Sequence, residues 1–220
     1  MANASADGRA PRIPLNRERV LRAAVELADR SGIEALTMRT LGQELGVEAM
    51  SLYNHVTNKD DILDGIVDLV VGEIEVPGPG SDWRTAMRQR AISAHGVLVR
   101  HPWAAVLVMS RFNIGPGMRG YLNATLGRLR EGGFSIEGAL DAWHALDSHI
   151  YGFTLQELNL PFKVEETKRV SAGVLPHLPA DEYPHLVEVV SEVMRSGRDE
   201  NFEFGLELIL DGLARALGRS

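Results

Sequence analysis

Apolar residues in the first third of the chain recur at three- and four-residue spacing in short runs, the signature of small amphipathic helices. Val20, Ala24, Leu27 and Ala28 form one face of a helix that closes at Gly32. Thr37 is placed to cap a second, very short helix that carries Met38, Leu41 and Leu45 inward and breaks at Gly46. A third segment, Glu48 to His55, sets Leu52 on one face with Val56 just beyond it. Asn58 stands three residues before Asp61, a capping-box-like start for a fourth helix with the stripe Ile62, Ile66, Val67, Val70.

Pro77-Gly78-Pro79-Gly80 is the strongest break in the chain. Beyond it Trp83, Met87, Ala91, Ala94 and Leu98 share a face, and His101-Pro102 interrupts. A short apolar helix to about Phe112 follows, then a stripe of Met118, Leu122, Leu126 and Leu129. Ser135 caps a long helix to about Leu160. Residues 161–182 read as a loop with one helical piece, and Glu182 to Met194 is amphipathic. The run Asn201 to Leu217 is apolar on more than one face, with Phe202, Leu206, Ile209, Leu213 and Leu217 on one and Phe204, Leu208 and Leu210 on others. It must therefore be buried on more than one side. No period-two alternation is long enough for a strand, so the expected fold class is all-α. The expected organisation is a tail over 1–13, a three-helix domain over 14–76 with a fourth, linking helix at 59–75, and a helical domain over 81–220.

Composition narrows the chemistry. The 220 residues include no cysteine, which excludes a disulfide framework, a thiolate nucleophile and a cysteine-held zinc. Met1 to Pro14 has no apolar core of the kind a secretory signal needs. Trp103 to Met109 is far short of the ~20 apolar residues that span a bilayer. These observations lead us to expect a cytoplasmic protein with no membrane partner. The net charge of −7 rules out a basic coat over the whole molecule. Between residues 8 and 22, however, Arg9, Arg12, Arg17, Arg19 and Arg22 face the single acid Glu18, a local net of +4. Either a nucleic-acid-clamping arm or a solubilising tail follows from that cluster.

The most informative stretch is Thr37 to Val56. Two short helices flank a Gly46 turn, and Ser51, Tyr53, Asn54 and His55 project from the second. That is the plan of a helix-turn-helix, whose second helix enters a major groove ~12 Å wide. Small and polar side chains let such a helix sit deep, while flanking groups hold phosphates. The stretch resembles the tetracycline-repressor (TetR) family. The resemblance runs from Leu15 to about Val67 and is carried by Leu41-Gly42-Gln43-Glu44-Leu45-Gly46-Val47, Ser51-Leu52-Tyr53-Asn54-His55-Val56 and Asn58-Lys59-Asp60-Asp61-Ile62-Leu63. It continues at Gly133-Phe134-Ser135, Ala139-Leu140 and Phe204 to Leu213.

The resemblance implies a ligand-responsive regulator, most often a repressor. It implies a homodimer formed by two C-terminal helices of each subunit, a double-stranded palindromic operator and a small-molecule effector. Carried over by position, Arg39 reads a guanine. Ala49, Met50, Ser51, Asn54 and His55 face bases and groove walls, and Thr37, Tyr53 and Lys59 contact phosphates. Asn54 and Ala49 replace a tryptophan and a base-reading glutamine of the tetracycline repressors, so a different operator is implied. Val108 stands where those repressors hold a drug–magnesium chelate with histidine, and Arg111 replaces a threonine that follows. Neither a metal nor a cofactor is therefore expected, and the expected effector is apolar or amphipathic.

For the effector, Met87, Met109, Phe112, Leu122 and Trp143 are the apolar candidates, and plain core is their alternative. His144, Asp147 and Tyr151 fall at i, i+3 and i+7 on the long helix. Of these, His144 and Asp147 are the polar candidates, facing either a pocket or a dimer interface. A second function class, an all-α carrier or enzyme using His144 and Asp147, leaves residues 37–63 idle. No glycine-rich phosphate loop or nucleophile elbow supports it, so no enzymatic activity is expected. The small residues Gly138, Ala139, Ala142 and Ala145 permit close helix approach at a dimer seam.

Overall fold

The computed structural model describes residues 14–78, 80–111, 114–161, 166–196 and 201–218. The tail over 1–13, with Arg9 and Arg12, and the ligand candidate Phe112 lie outside these. All regular structure among the described residues is helical. The chain divides into two compact units, one of residues 14–73 with 100–120, the other of 74–99 with 121–218.

In the first unit α1 (Arg17–Ser31), α2 (Met38–Leu45), α3 (Ala49–Leu52) and α4 (Lys59–Gly72) enclose a core of Val20, Ala24, Leu36, Leu41, Leu52, Ile62, Ile66 and Val70. The helices start where side chains satisfy their free amides. Asn16 Oδ1 accepts from Arg19 N, Thr37 Oγ1 from Thr40 N, and Asn58 Oδ1 from Asp61 N. Thr40 completes the box by accepting from Thr37 N. Gly46 ends α2 at φ +66°, a left-handed conformation costly to any residue with a Cβ. The third helix is shorter than the Glu48–His55 span expected. After Leu52 the backbone tightens to three-residue bonds, Asn54 N to Ser51 O and His55 N to Leu52 O. Buried Leu52 and Val56 pin both ends of that tightened turn.

The first unit also takes in chain from beyond the Pro77–Gly80 break. His101 Nδ1 lies 2.8 Å from Asp29 Oδ1, which also accepts from Trp103 Nε1 at 2.7 Å. These bonds hold the chain after α5 against α1. α6 (Ala104–Ser110) then packs on α4, and Asp68 of α4 accepts from Gly117 N and Met118 N at the start of α7 (Pro116–Glu131). Compactness thus groups residues 100–120 with the first unit.

The second unit contains α5 (Trp83–Arg100), the remainder of α7, α8 (Ile136–Leu158), α9 (Thr167–Val174), α10 (Pro184–Ser196) and α11 (Phe202–Leu217). Asp82 caps α5 through Thr85 N, and Ser135 caps α8 through Gly138 N. On α5, Met87, Ala91, Ala94 and Leu98 are buried as their spacing requires. On α7 the inward face is Tyr121, Thr125 and Leu129, one position off the Met118, Leu122, Leu126 series. Two polar residues face inward there because both are satisfied: Tyr121 meets Arg90, and Thr125 Oγ1 donates to the Tyr121 carbonyl. On α8, Ala139 and Ala142 are buried in the protomer's own core, so they are not free to form a seam with another copy. α9 is the one helical piece expected within 161–182, and it packs with α10; among the described residues neither helix has a buried side chain.

Candidate nucleic-acid interface and ligand site

The turn between α2 and α3 passes close to a buried glycine. A Cβ on Gly42 would sit 3.0 Å from the Val47 carbonyl and 3.2 Å from Ala49 Cα, so a side chain there would require its neighbours to give by a few tenths of an ångström. The sequence-derived DNA-contact positions lie on or beside α2, α3 and the start of α4, all in the first unit. Met50 is 75% exposed, Tyr53, Asn54, Lys59, Arg39 and Thr37 are exposed, and Ala49, Ser51 and His55 are half-buried. Thr37 Oγ1 is shared with the α2 cap.

Arg39 differs from its neighbours. Arg17 pairs with Asp61, Arg22 with Glu18, Arg30 with Glu44, and Arg111 with Asp60 and Asp64. Arg39 makes no ion pair or hydrogen bond among the described residues, and neither does Lys59 through its side chain. Arg17, read from the sequence as part of a basic arm, instead donates through both terminal nitrogens to Asp61. The Arg17 guanidinium lowers the Asp61 carboxyl to about 2, helped by the Thr57 amide and opposed by partial burial.

The ligand candidates separate. Met109 lies on α6 of the first unit and is 61% exposed, and Met87 is fully buried on α5 of the second. Leu122 and Trp143 are half-buried, and His144 is exposed and tilted against Trp143. Asp147 faces inward. Its Oδ1 accepts from Arg90 Nη2, and the same nitrogen donates to the Tyr121 hydroxyl. Asp147 and His144 therefore do not form an acid–base pair, as a carrier or enzyme reading would need. Burial raises the Asp147 carboxyl, and the Arg90 guanidinium partly opposes that rise. Burial likewise pushes the Tyr121 hydroxyl up to about 12 and the Tyr151 hydroxyl well above its usual range, which keeps both neutral.

Arg90 itself was absent from the sequence reading, although a signal for it exists. It stands three residues after Met87 and one before Ala91, an arginine inside an apolar stripe. Such a residue is either a break in the stripe or a deliberately buried charge.

No single helix among the described residues is long and apolar enough to cross a membrane. Residues 20–66 match the family model of bacterial regulatory proteins of the tetR family, and 76–217 match the tetracyclin repressor-like C-terminal domain. An HTH-type transcriptional regulator of Saccharopolyspora erythraea is 32% identical, over 93% of this chain and 86% of its own. The HTH-type transcriptional repressor DrrR1 of Streptomyces coeruleorubidus is 30% identical, over 93% and 79%. The crystal structure of the Streptomyces coelicolor TetR-family protein ActR in complex with actinorhodin superposes with a TM-score of 0.79 at 31% identity, covering 94% of this chain and all of that one. The helix-turn-helix with its uncommitted arginine, the wholly helical second unit and these matches lead to one conclusion: the chain belongs to the TetR family, as a DNA-binding transcriptional regulator and not an enzyme.

Proposed function

We propose that the protein is a cytoplasmic repressor that binds a palindromic operator as a homodimer and leaves it when the second unit takes up a small, largely apolar effector. The observation that carries the DNA part is the state of Arg39 and Lys59 beside the α2–α3 turn. On a surface where neighbouring arginines are held by carboxylates, these two cations have no side-chain partner among the described residues. A guanidinium left open next to a helix-turn-helix is available to guanine O6 and N7, and an ammonium at the first residue of α4 to a phosphate. Thr37, Tyr53, Asn54 and His55 flank them, and Ala49, Met50 and Ser51 supply the small and apolar surface that enters the groove. The DNA-binding domain is taken as 14–76 and the effector and dimer domain as 81–220. ActR, a relative of similar fold, has been crystallised with actinorhodin, which supports a small-molecule effector for this chain.

The dimer reading rests on apolar surface that one protomer leaves open. Ile136 and Leu140 on α8 are 77% and 44% exposed, and Phe204 and Leu208 on α11 are 63% and 56% exposed. α8 and α11 pack together, so both pairs belong to one two-helix layer. Exposed apolar surface of this kind is the usual mark of a self-complementary interface.

The test is selection of bound sites from a randomised duplex library, followed by titration of the selected site. Half-sites are expected about one helical turn, ~34 Å, apart. Arg39→Ala should cost about 1–3 kcal/mol on the selected site and relax preference at one base pair. Lys59→Ala should weaken all sequences alike and lower the salt slope by about one. Equal weakening of selected and random DNA by Arg39→Ala would remove its base-reading role. Failure to select any site would remove the operator reading.

A further inference from the structure

The second unit contains a cation that the described residues satisfy only in part. Arg90 is fully buried between Met87 and Ala91 on α5. Of its nitrogens only Nη2 is engaged, by Asp147 Oδ1 and the Tyr121 hydroxyl. Its Nε and Nη1 are buried with no acceptor among the described residues. The guanidinium also lies over the Tyr121 ring, 5.0 Å from its centroid. On α8, one turn before Asp147, Trp143 Nε1 is likewise buried without a partner; it points towards the Asp147 carboxylate but does not close a hydrogen bond. Three buried donor atoms therefore border one carboxylate, which Arg90 Nη2 already occupies.

Such an arrangement is costly. A buried donor without an acceptor costs about 1–3 kcal/mol, more when the group is charged. A whole domain is stable by only about 5–15 kcal/mol. Native proteins keep few such atoms, and those they keep need an explanation. The chemistry around Arg90 indicates the missing partner. Tyr121, Trp143 and Tyr151 supply aromatic surface, and burial holds both tyrosine hydroxyls neutral. Arg90 is the permanent charge of the cluster, and its open donors are arranged on a plane. An acceptor that carries negative charge gains the guanidinium's charge as well as its hydrogen bond, which a neutral carbonyl does not. The Asp147 carboxylate disfavours a dianion such as phosphate.

We infer that Arg90, assisted by Trp143, recognises the carboxylate of an aromatic acid. The inference rests on the reading above that the second unit takes the effector, and it specifies that effector's chemical class. It also adds Arg90 to a ligand set that the sequence reading drew from Trp143, His144, Asp147 and apolar neighbours. Asp147 acts as a positioning residue, holding the guanidinium through Nη2 and leaving Nη1 open to the ligand.

The test is calorimetric titration of the full chain with benzoate, 2-naphthoate and anthracene-2-carboxylate, each beside its primary amide. The amide keeps the ring and one carbonyl but has no negative charge. At least one acid is expected to bind tenfold or more tightly than its amide. The double variant Arg90→Met, Asp147→Asn exchanges an ion pair for neutral groups of similar volume and should bring acid and amide to within about twofold. Trp143→Phe, which removes one donor and little volume, should narrow the acid–amide gap severalfold in a chain of unchanged helicity. The inference is overturned if every acid binds no better than its amide, if none binds at millimolar concentration, or if the double variant keeps the preference. Operator titration of the same samples separates the two readings. Acid binding that leaves operator affinity unchanged would retain the Arg90 site and remove its effector role.

Discussion

Arg17 and Asp61 show how a single pair decides what a residue is for. The guanidinium closes on the carboxylate with two bonds, of 2.5 and 2.9 Å, across 44 residues of sequence. Asp61 also accepts from the Thr57 amide at 2.8 Å, so one carboxylate ties the start of α1 to the first turn of α4. Its pKa is lowered to about 2, below the unfolded carboxylate value of ~3.9. A lowered carboxylate contributes stability above its unfolded pKa and loses it as pH falls through the folded value. The contribution should thus be complete at pH 5 and above and fade between about pH 4 and pH 2. Because both groups are partly exposed, screening limits it to about 1 kcal/mol or less. Asp61→Asn should therefore lower the urea midpoint at pH 7 and converge with the parent chain as pH approaches 2. A gap that persists at pH 2 would assign the effect to packing rather than to charge.

Local chemistry was legible at this scale and distant chemistry was not. Thr37, Asn58, Ser135 and Asn201 each accept from an amide three residues on, a relation written within four letters of sequence. The partner of Arg17 lies at a separation no periodicity encodes. The partners of Arg90, 31 and 57 residues away, are equally hidden. Its place in an apolar stripe was nonetheless visible.

Among the elements, α7 shows where pattern reading fails. The most apolar series along it, Met118, Leu122, Leu126, is only half-buried, while Tyr121 and Thr125 are buried. Periodicity weighs hydrophobicity alone, but a buried polar group with a bonded partner competes on equal terms. The start of α7 was equally silent, since Gly115-Pro116-Gly117 offers no capping side chain of its own. Asp68 supplies the cap from α4, accepting from Gly117 N at 3.0 Å and Met118 N at 2.8 Å. The glycines are required by that approach, because a Cβ on Gly117 would lie 2.3 Å from the Asp68 carbonyl oxygen. Asp68→Ala should cost about 1–2 kcal/mol, as loss of a cap does. At this chain length that is a fall of about 2–8 °C in Tm, read by circular dichroism. Asp68→Asn, which keeps an accepting oxygen, should recover much of it. An unchanged Tm in Asp68→Ala would show that solvent caps α7 equally well.

For the whole molecule, an acidic chain of net charge −7 must hold DNA through few cations. Two copies of a weak half-site reader then become necessary, because joining them makes the second contact intramolecular and raises affinity without new chemistry. In the proposed dimer the layer of α8 and α11 would serve DNA binding as well as assembly. Leu208 is 56% exposed in one protomer and stands one helical turn from Phe204, so a charge there would be solvated in the monomer and buried in the dimer. Leu208→Asp should leave helicity and the Tm of the isolated protomer little changed. Light scattering at micromolar concentration should give a mass near 24.1 kDa for the variant and about twice that for the parent. Affinity for a full palindrome should then drop by about two or more powers of ten, to the level of a single half-site. A parent chain that scatters as a monomer, or a monomeric variant with undiminished affinity for the palindrome, would refute the dimer as the DNA-binding unit.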